Sequence, residues 1–296
     1  MSAVSIPNHY NVMFHQGLSH LVQQKGSKLR PFIVEEAANG EASFHDRIGA
    51  TEAEETTTRF EDTPLIIVPH DRRMVTPRNA TWATLLDDLD KAKVLTNPTN
   101  AYAENARMSI GRKIDDFIIE AFFADAYSGR TGDTAVSFDS NNVVAVNDHT
   151  YDTGSGNIGM TVSKLQVIHD ILKGNEVDSD EELFISLCQK QVNDLLSDNH
   201  LSSADYNTVR ALQAGELNKF MKFHFIQLER LLVNGSSHRR CMAWAKSGML
   251  FAVLQDLKTR ISERPDKNYA IQVWARIQAN AVRMEEEKCV EVVCAE

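Results

Sequence analysis

Three glycines, Gly154, Gly156 and Gly159, have the spacing of the dinucleotide-binding pattern G-x-G-x-x-G. In that pattern the glycines let the backbone approach a pyrophosphate at the N-terminus of a helix that directly follows a strand. Here the nearest predicted strand ends at Val146, and residues 147–153 separate it from the first glycine. We therefore predict a flexible loop, and a nucleotide-binding oxidoreductase that uses this loop is kept as the alternative function.

Other residue types that support catalysis lack the necessary spacing. The histidines have Ser or Asp neighbours, but the chain contains neither a G-x-S-x-G nucleophile elbow nor a G-x-x-x-x-G-K-[ST] phosphate loop. Asp87 and Asp88 point in different directions on a helix, and Lys91 follows Asp90, so a solvated face is favoured over a magnesium site. The four cysteines form no C-x-x-C pair and are predicted to be reduced, buried thiols: Cys188, Cys241, Cys289 and Cys294. We expect no catalytic residue, no cofactor and no metal.

The composition is that of a folded chain without a broad basic surface. Of 296 residues 43% are hydrophobic, and 41 acidic residues outnumber 31 basic ones, which gives a net charge of −10. This balance disfavours sequence-independent binding to nucleic acid. No apolar run approaches the roughly 18 residues that span a bilayer, and the N-terminus lacks the basic region of a signal peptide. We expect a cytoplasmic protein that binds no membrane.

A single long helix is the clearest element. Asn97 can cap it, Pro98 suits its first position, and Gly129 lies beyond its predicted end at residue 127. Apolar side chains recur every three or four residues along it: Ala103, Ala106, Ile110, Ile114, Phe117, Ala121 and Ala124. Charged residues avoid this stripe: Glu104, Arg112, Lys113, Asp115, Asp116 and Glu120. One face is therefore predicted to be buried along the whole length.

Residues 40–62 are acidic and poor in apolar side chains. Weak alternation around Phe44, and again from Thr56 to Phe60, predicts a two-stranded projection, here called the excursion. Because an isolated hairpin is marginal in water, it should find a partner surface. Leu65–Val68, between two prolines, is predicted to be a strand.

The remaining elements predict an α+β fold. A strict period of two over residues 270–282 predicts a long strand, which a charged turn at residues 285–288 reverses into another strand at 290–293. Helices are predicted from Trp82 to Ala92, Thr161 to Leu172 and Lys190 to Leu196, and strands at residues 32–34, 143–146, 183–187, 223–228 and 241–245.

These elements, in this order, resemble the major capsid proteins of tailed double-stranded-DNA bacteriophages, a family with the HK-ninety-seven-like fold. Residues 97–106, from Asn-Pro-Thr-Asn-Ala-Tyr onward, and 111–116, Gly-Arg-Lys-Ile-Asp-Asp, are similar to the entry and middle of the family's spine helix. Residues 261–267 and 283–291 resemble closing segments of one branch of the family.

The resemblance implies a domain organisation and a function. Its parts would be an N-terminal arm (1–35), an extended hairpin loop (36–70), a peripheral domain (71–150) with spine helix 97–127, an axial domain (151–260) and C-terminal strands (261–296). The arm and the loop would each contact a neighbouring copy. Hexamers and pentamers would form an icosahedral head in the host cytoplasm and enclose double-stranded DNA without sequence-specific binding. Further partners would be a portal protein and scaffolding or decoration proteins. A protein-cargo nanocompartment shell is the second alternative.

One departure from the family concerns covalent locking. Some members crosslink through a lysine on the hairpin loop, but here no lysine lies between Lys28 and Lys91. We therefore predict noncovalent contacts, each exposed ion pair contributing about 0–1 kcal/mol. The candidate interface residues are Arg47, Glu52, Glu54, Glu55, Arg59 and Phe60. Deleting residues 42–60 should leave a soluble body that cannot close shells.

Overall fold

A computed structural model describes residues 21–55, 57–59, 62–86, 99–152, 154–197 and 219–296. The helices are α1 (Thr99–Phe123), α2 (Val162–Gly174) and α3 (Gln189–Ser197). The strands are β1 (Val34–Ala37), β2 (Ser43–Ile48), β3 (His70–Val75), β4 (Arg78–Leu86), β5 (Ala126–Ser128), β6 (Thr134–Val136), β7 (Val143–Val144), β8 (Leu183–Leu187), β9 (Lys219–Phe220), β10 (Phe223–Gln227), β11 (Arg239–Ala245), β12 (Met249–Arg264), β13 (Ala270–Arg283) and β14 (Cys289–Cys294). The predicted α+β class is confirmed. Asn97, Pro98, Phe60 and the aspartates at 87, 88 and 90 lie outside the described residues.

The long helix is confirmed as α1, whose 25 described residues span about 37 Å. Its stripe from Ile110 through Phe117 to Phe122 is buried. It ends before the predicted residue 127, because the chain turns there into β5. The prediction that every charged residue avoids the buried side is wrong for Asp115, which is 0% exposed.

A four-stranded sheet, in the order β1–β12–β13–β4, packs on α1. Along β13 the alternating residues Val273, Ala275 and Ile277 are buried, as its period of two predicts. The helix predicted to begin at Trp82 is wrong through residue 86, because β4 pairs with β13 there in antiparallel register. The sequence reading also missed β12, which pairs with β13 as a long hairpin.

A six-stranded sheet, in the order β7–β14–β11–β8–β10–β9, shares one hydrophobic core with the first sheet and α1. It contains the predicted strands between residues 183 and 245, and α2 and α3 confirm the two predicted helices that pack on it. Thr161 caps α2, since its hydroxyl accepts a hydrogen bond from the Lys164 amide. The 3-10 turn Glu286–Lys288 leads β14 into this second sheet, so the last strand does not fold back along β13.

A small sheet, in the order β2–β3–β5–β6, carries the excursion. Strand β2 pairs antiparallel with β3, from Ser43 opposite Val75 to Ile48 opposite His70. The predicted return strand at residues 56–60 is therefore wrong, since residues 57–59 form no strand and the chain returns along β3. Leu65–Val68 is not a strand either.

Candidate assembly surface

Beyond β2 the chain makes a long exposed loop before it returns along β3. Every described residue from 48 to 70 is exposed. The Gly49 amide donates to the Pro69 carbonyl at 2.9 Å, so the loop leaves and rejoins the body at one point. Near its end Leu65 is 95% and Ile67 is 91% exposed. A run of apolar side chains in water is typical of a surface that another protein covers.

The root of the loop is fixed by ion pairs across β2 and β3. Arg47 donates from Nε and Nη2 to the Asp71 carboxylate, at 2.9 and 2.6 Å, and from Nη1 to the Met284 carbonyl at 2.6 Å. Burial acts to raise the pKa of Asp71, but hydrogen bonds from Arg47 and the Arg72 amide hold it below its ordinary value. Arg72 pairs with Asp46 at 3.2 Å. The strands that carry the loop are thereby held in register.

Behind this root lies a buried charge cluster, formed by Arg73, Arg283 and Glu286. Arg73 Nη2 lies 2.5 Å from Glu286 Oε2. Arg283 Nη1 donates to the Phe122 and Ala124 carbonyls, both at 2.5 Å, and these groups at the end of α1 have no partner within the helix. Burial raises the pKa of Glu286, while both arginines act to lower it. The excursion, the end of α1 and the end of β13 are therefore joined by charge-assisted hydrogen bonds.

The segment at residues 21–29, here called the arm root, lies against α1. The Asp115 carboxylate accepts hydrogen bonds from the Gln24 side chain, from Ser27 Oγ at 2.6 Å and from the Lys28 and Leu29 amides at 3.1 Å. Arg112 Nη1 donates to Gln23 Oε1 at 2.8 Å. The arm root therefore covers the face of α1 that carries Arg112 and Asp115, which the charge pattern predicted to be exposed to solvent.

Gly111 is the sequence signal that marks this contact. A glycine inside a helix costs about 1 kcal/mol relative to alanine, so its presence calls for a packing reason. Here a Cβ atom at Gly111 would lie 2.5 Å from the Gly26 backbone. The absence of a side chain lets the arm root cross the helix in direct contact.

The predicted interface residues fall into two groups. Arg47 lies at the root of the loop and pairs within its own chain, as described above. Glu52, Glu54, Glu55 and Arg59 lie along the exposed loop, and Phe60 lies outside the described residues. The structure thus separates Arg47 from the others, and the contact of all six with a neighbouring copy stays a prediction.

The glycine loop is fastened to its own chain. A Cβ at Gly154 would lie 2.7 Å from the His149 ring, and one at Gly159 would overlap the Asp194 carboxylate. The loop follows β7, a strand of two residues, and leads into α2, whose first turn Thr161 already caps. The Asp194 carboxylate lies against Gly159, and β7 and β8, the strands on either side of α2, are separated in the sheet by β14 and β11. The loop therefore lacks the features that hold a pyrophosphate.

A buried lysine holds the same loop in place. Lys164 Nζ donates to the carbonyls of Val293, Ile158 and Val146 at 2.7, 3.1 and 3.2 Å. Burial lowers the pKa of this lysine. Its hydrogen bonds to the loop and to β14 explain why a charged residue lies on the inner side of α2.

Two further observations concern ligands and membranes. The four cysteines are buried free thiols. Within the described ranges, His, Cys, Asp and Glu side chains form no group of three or more that is placed to hold a metal ion. No helix in the described part of the chain is both long and apolar enough for a membrane span.

Comparisons with known proteins give one family and a set of solved structures with a similar fold. A family model described as "Phage capsid protein" matches residues 6–296. No curated protein sequence is detectably similar. The capsid of Ralstonia phage GP4 superposes with a TM-score of 0.75 at 8% identity, covering 100% of this chain and 98% of that one. The capsid of Helicobacter pylori bacteriophage KHP30 gives a TM-score of 0.71 at 8% identity, covering 99% of this chain and 98% of that one. The Cyanophage Pam1 capsid gives a TM-score of 0.70 at 14% identity, covering 100% of this chain and 99% of that one. At these identities the structures show a shared fold.

Proposed function

We propose, from the premise that this chain belongs to the phage capsid protein family, that it assembles as hexamers and pentamers into an icosahedral head that encloses double-stranded DNA. The chain is a phage major capsid protein with the HK-ninety-seven-like fold, a structural component of the virion and not an enzyme. The oligomeric units, the enclosed DNA and assembly in the host cytoplasm are the proposed part.

The exposed loop is the observation that carries this proposal. Its described residues are all classed as exposed, and within the apolar run Leu65–Val68 the side chains of Leu65 and Ile67 are 95% and 91% exposed. Exposed apolar surface is unfavourable by about 25 cal/mol per Å², so covering this run on a neighbouring copy would favour assembly. The arm root, fixed on α1, would direct the preceding residues to a second neighbour.

Repetition makes weak contacts sufficient. In a closed shell each copy gives one loop and receives another, so the interface is multiplied over the whole assembly. A portal protein and scaffolding or decoration proteins are further partners that this function would require or allow. The acidic balance of the chain suits a container that does not adsorb its DNA tightly.

Removing the loop alone tests the proposal. Because Gly49 and Pro69 are hydrogen-bonded, residues 50–68 can be replaced by a short Gly-Ser linker without removing β2, which a deletion of 42–60 would destroy. The shortened chain should remain folded by circular dichroism but form no closed shells in negative-stain electron microscopy. The double variant Leu65→Ser/Ile67→Ser is the matched control for loop length and should also reduce shell yield.

Two outcomes would count against the proposal. Normal shells from the shortened chain would show that the loop has no assembly role. A wild-type chain that stays a compact monomer at every salt and protein concentration would contradict the capsid function itself. Particles that enclose a protein cargo and no nuclease-resistant DNA would favour the nanocompartment alternative.

A further inference from the structure

The face of the four-stranded sheet turned away from α1 carries a cluster of cations. Lys258 lies directly opposite Arg276 in the β12–β13 ladder, and Arg260 lies opposite Trp274. Residues opposite each other in an antiparallel ladder share a face, and Arg276 alternates with the buried Ala275 and Ile277. Lys258, Arg260 and Arg276, here called the basic face, therefore lie together on the outer side of the sheet.

This cluster has no compensating charge within the described part of its own chain. Like charges directly opposite in a ladder are destabilising, which applies to Lys258 and Arg276. The neighbouring acid Asp256 pairs with Arg30 at 3.1 Å, and Glu263 shares the opposite face with Ile271. The guanidinium of Arg276 donates to Asn79 at 3.2 Å, and its Nε is buried with no hydrogen-bond partner in the described structure. A carboxylate from outside would relieve the repulsion between Lys258 and Arg276.

The excursion supplies carboxylates with a matching spacing. Glu52 and Glu54 are two residues apart, as are Lys258 and Arg260, and such pairs are separated by about 6.6 Å in extended chain. Glu52, Glu54 and Glu55 are exposed on the loop and form no ion pair with a described residue. The two segments are therefore complementary in charge and in repeat.

The loop and the basic face of one chain are not paired with each other. Glu52, Glu54 and Glu55 are exposed, and among the described residues none of them forms an ion pair with Lys258, Arg260 or Arg276 of the same chain. We therefore assign the loop of a second copy as the occupant.

We propose that Glu52 and Glu54 of one copy bind Lys258 and Arg260 of a second copy. This inference rests on the proposed assembly function and names the surface that receives the loop. Charge complementarity of this kind sets the register of an interface and excludes wrong partners.

Charge reversal tests the pairing. Glu52→Lys/Glu54→Lys and, separately, Lys258→Glu/Arg260→Glu should each lower the yield of closed shells about tenfold or more, since each replaces two attractions by two repulsions. The four substitutions together should restore the yield to within about twofold of wild type, because every loop and every basic face is then reversed. Sedimentation and electron microscopy measure the yield, and circular dichroism verifies folding.

A mismatched combination controls for net charge. Glu52→Lys/Glu54→Lys combined with Lys190→Glu/Lys219→Glu has the same net charge, but its reversed lysines are exposed residues on α3 and β9. This variant should stay defective. Where reversal prevents folding, Glu52→Gln/Glu54→Gln and Lys258→Gln/Arg260→Gln replace it, and their effects on shell yield should be less than additive.

Three results would overturn the pairing. The first is that the four charge reversals together give as low a shell yield as either pair alone. The second is that the mismatched combination with Lys190→Glu/Lys219→Glu recovers the yield equally well. The third is that the effects of the two pairs of Gln substitutions on shell yield are additive. If Lys258→Glu/Arg260→Glu formed shells normally but enclosed less DNA, the basic face would contact nucleic acid instead. In each case a wild-type chain that forms shells leaves the proposed assembly function standing, whereas absence of wild-type shells would contradict that function first.

Discussion

Replacing Asp115 by alanine should detach the arm root from α1. The carboxylate is fully buried and accepts from two side chains and from the Lys28 and Leu29 amides. The side-chain donors and the Lys28 amide can turn to water, but the buried Leu29 amide left without an acceptor costs about 1–3 kcal/mol. With the lost charge-assisted bonds, we expect a destabilisation of about 2–4 kcal/mol. Asp115→Asn keeps one oxygen acceptor and should cost less, about 1–2 kcal/mol.

The neighbouring Asp116 is the matched control. It lies one residue along α1, is partly exposed and pairs with Arg230 at 2.8 Å. An exposed pair of this kind contributes about 0–1 kcal/mol, so Asp116→Ala should have little effect. Two adjacent aspartates therefore differ severalfold in expected cost because one is buried with four donors and the other is solvated.

Urea unfolding and hydrogen exchange together measure how much Asp115→Ala destabilises the chain and whether it detaches the arm root. Trp244 is a suitable fluorescent probe, since it is buried and its indole donates to the Phe32 carbonyl just beyond the arm root. If the arm root detaches before global unfolding, the free energy of unfolding changes little but the amides of residues 24–29 lose protection. Asp115→Ala with both quantities within error of Asp116→Ala would refute the role of this carboxylate.

Three other predictions concern single side chains. Gly111→Ala should destabilise the chain by about 1–3 kcal/mol despite alanine's better helix propensity, because its Cβ would meet Gly26, whereas Gly174→Ala, with open space around it, should be neutral or stabilising in the same urea titration. Glu286→Gln should flatten the fall of stability with rising pH, because burial raises the pKa of Glu286 above its ordinary value of 4.5. Between the ordinary and the raised pKa the folded chain holds a proton that the unfolded chain has lost, so the stability from this group declines as pH rises through that window. Melting temperatures from about pH 4 to pH 8 measure this decline. Lys164→Met should cost about 2–4 kcal/mol in urea, because three buried carbonyls lose their donor, while Lys190→Met on the exposed side of α3 should cost less than about 0.5 kcal/mol.

Hydrophobic periodicity located the elements that bury a face. It predicted α1 to within a few residues at its described end, and it predicted β13 with its alternating buried residues. It failed at Asp115 because periodicity treats every carboxylate as a solvated group. A carboxylate that receives four hydrogen bonds is stable in the interior, and only the segment that supplies those donors, distant in sequence, makes it so.

The sequence predicted that the excursion projects from the body, but its return strand was assigned to the wrong residues, again because charged groups can be satisfied by distant parts of the chain. Its return strand, β3, begins His-Asp-Arg-Arg, which carries no hydrophobic pattern. Its charges are satisfied across the ladder, Arg47 with Asp71 and Arg72 with Asp46. Conversely Leu65–Val68 has the composition of a strand but pairs with no strand among the described residues of its own chain. Local propensity cannot distinguish burial within one copy from burial between copies.

Strand β12 escaped prediction because its two halves have different surroundings. From Met249 to Ala252 it is buried, but from residue 254 onward most of its side chains are exposed, so no single period runs through it. Its partner is set by the adjacent β13, and the sheet that β14 joins is set by β11 and β7, which are distant in sequence. Such pairings depend on the assembled core and not on local pattern.

The placement of charge divides the excursion into a fixed root and a free loop. At the root, buried groups such as Arg73 and Glu286 are paired at 2.5 Å, and breaking a buried pair costs about 3–5 kcal/mol, so bending there is expensive. Beyond Gly49 the loop carries exposed acids whose interactions are each worth about 0–1 kcal/mol. In the proposed assembly, differences in curvature between hexamer and pentamer contacts would therefore be absorbed in the loop while its origin and direction stay constant. If a buried charge pair lay in the loop instead of at the root, the hexamer and pentamer contacts of the proposed assembly would differ in energy. Closure of the shell would then be less favourable.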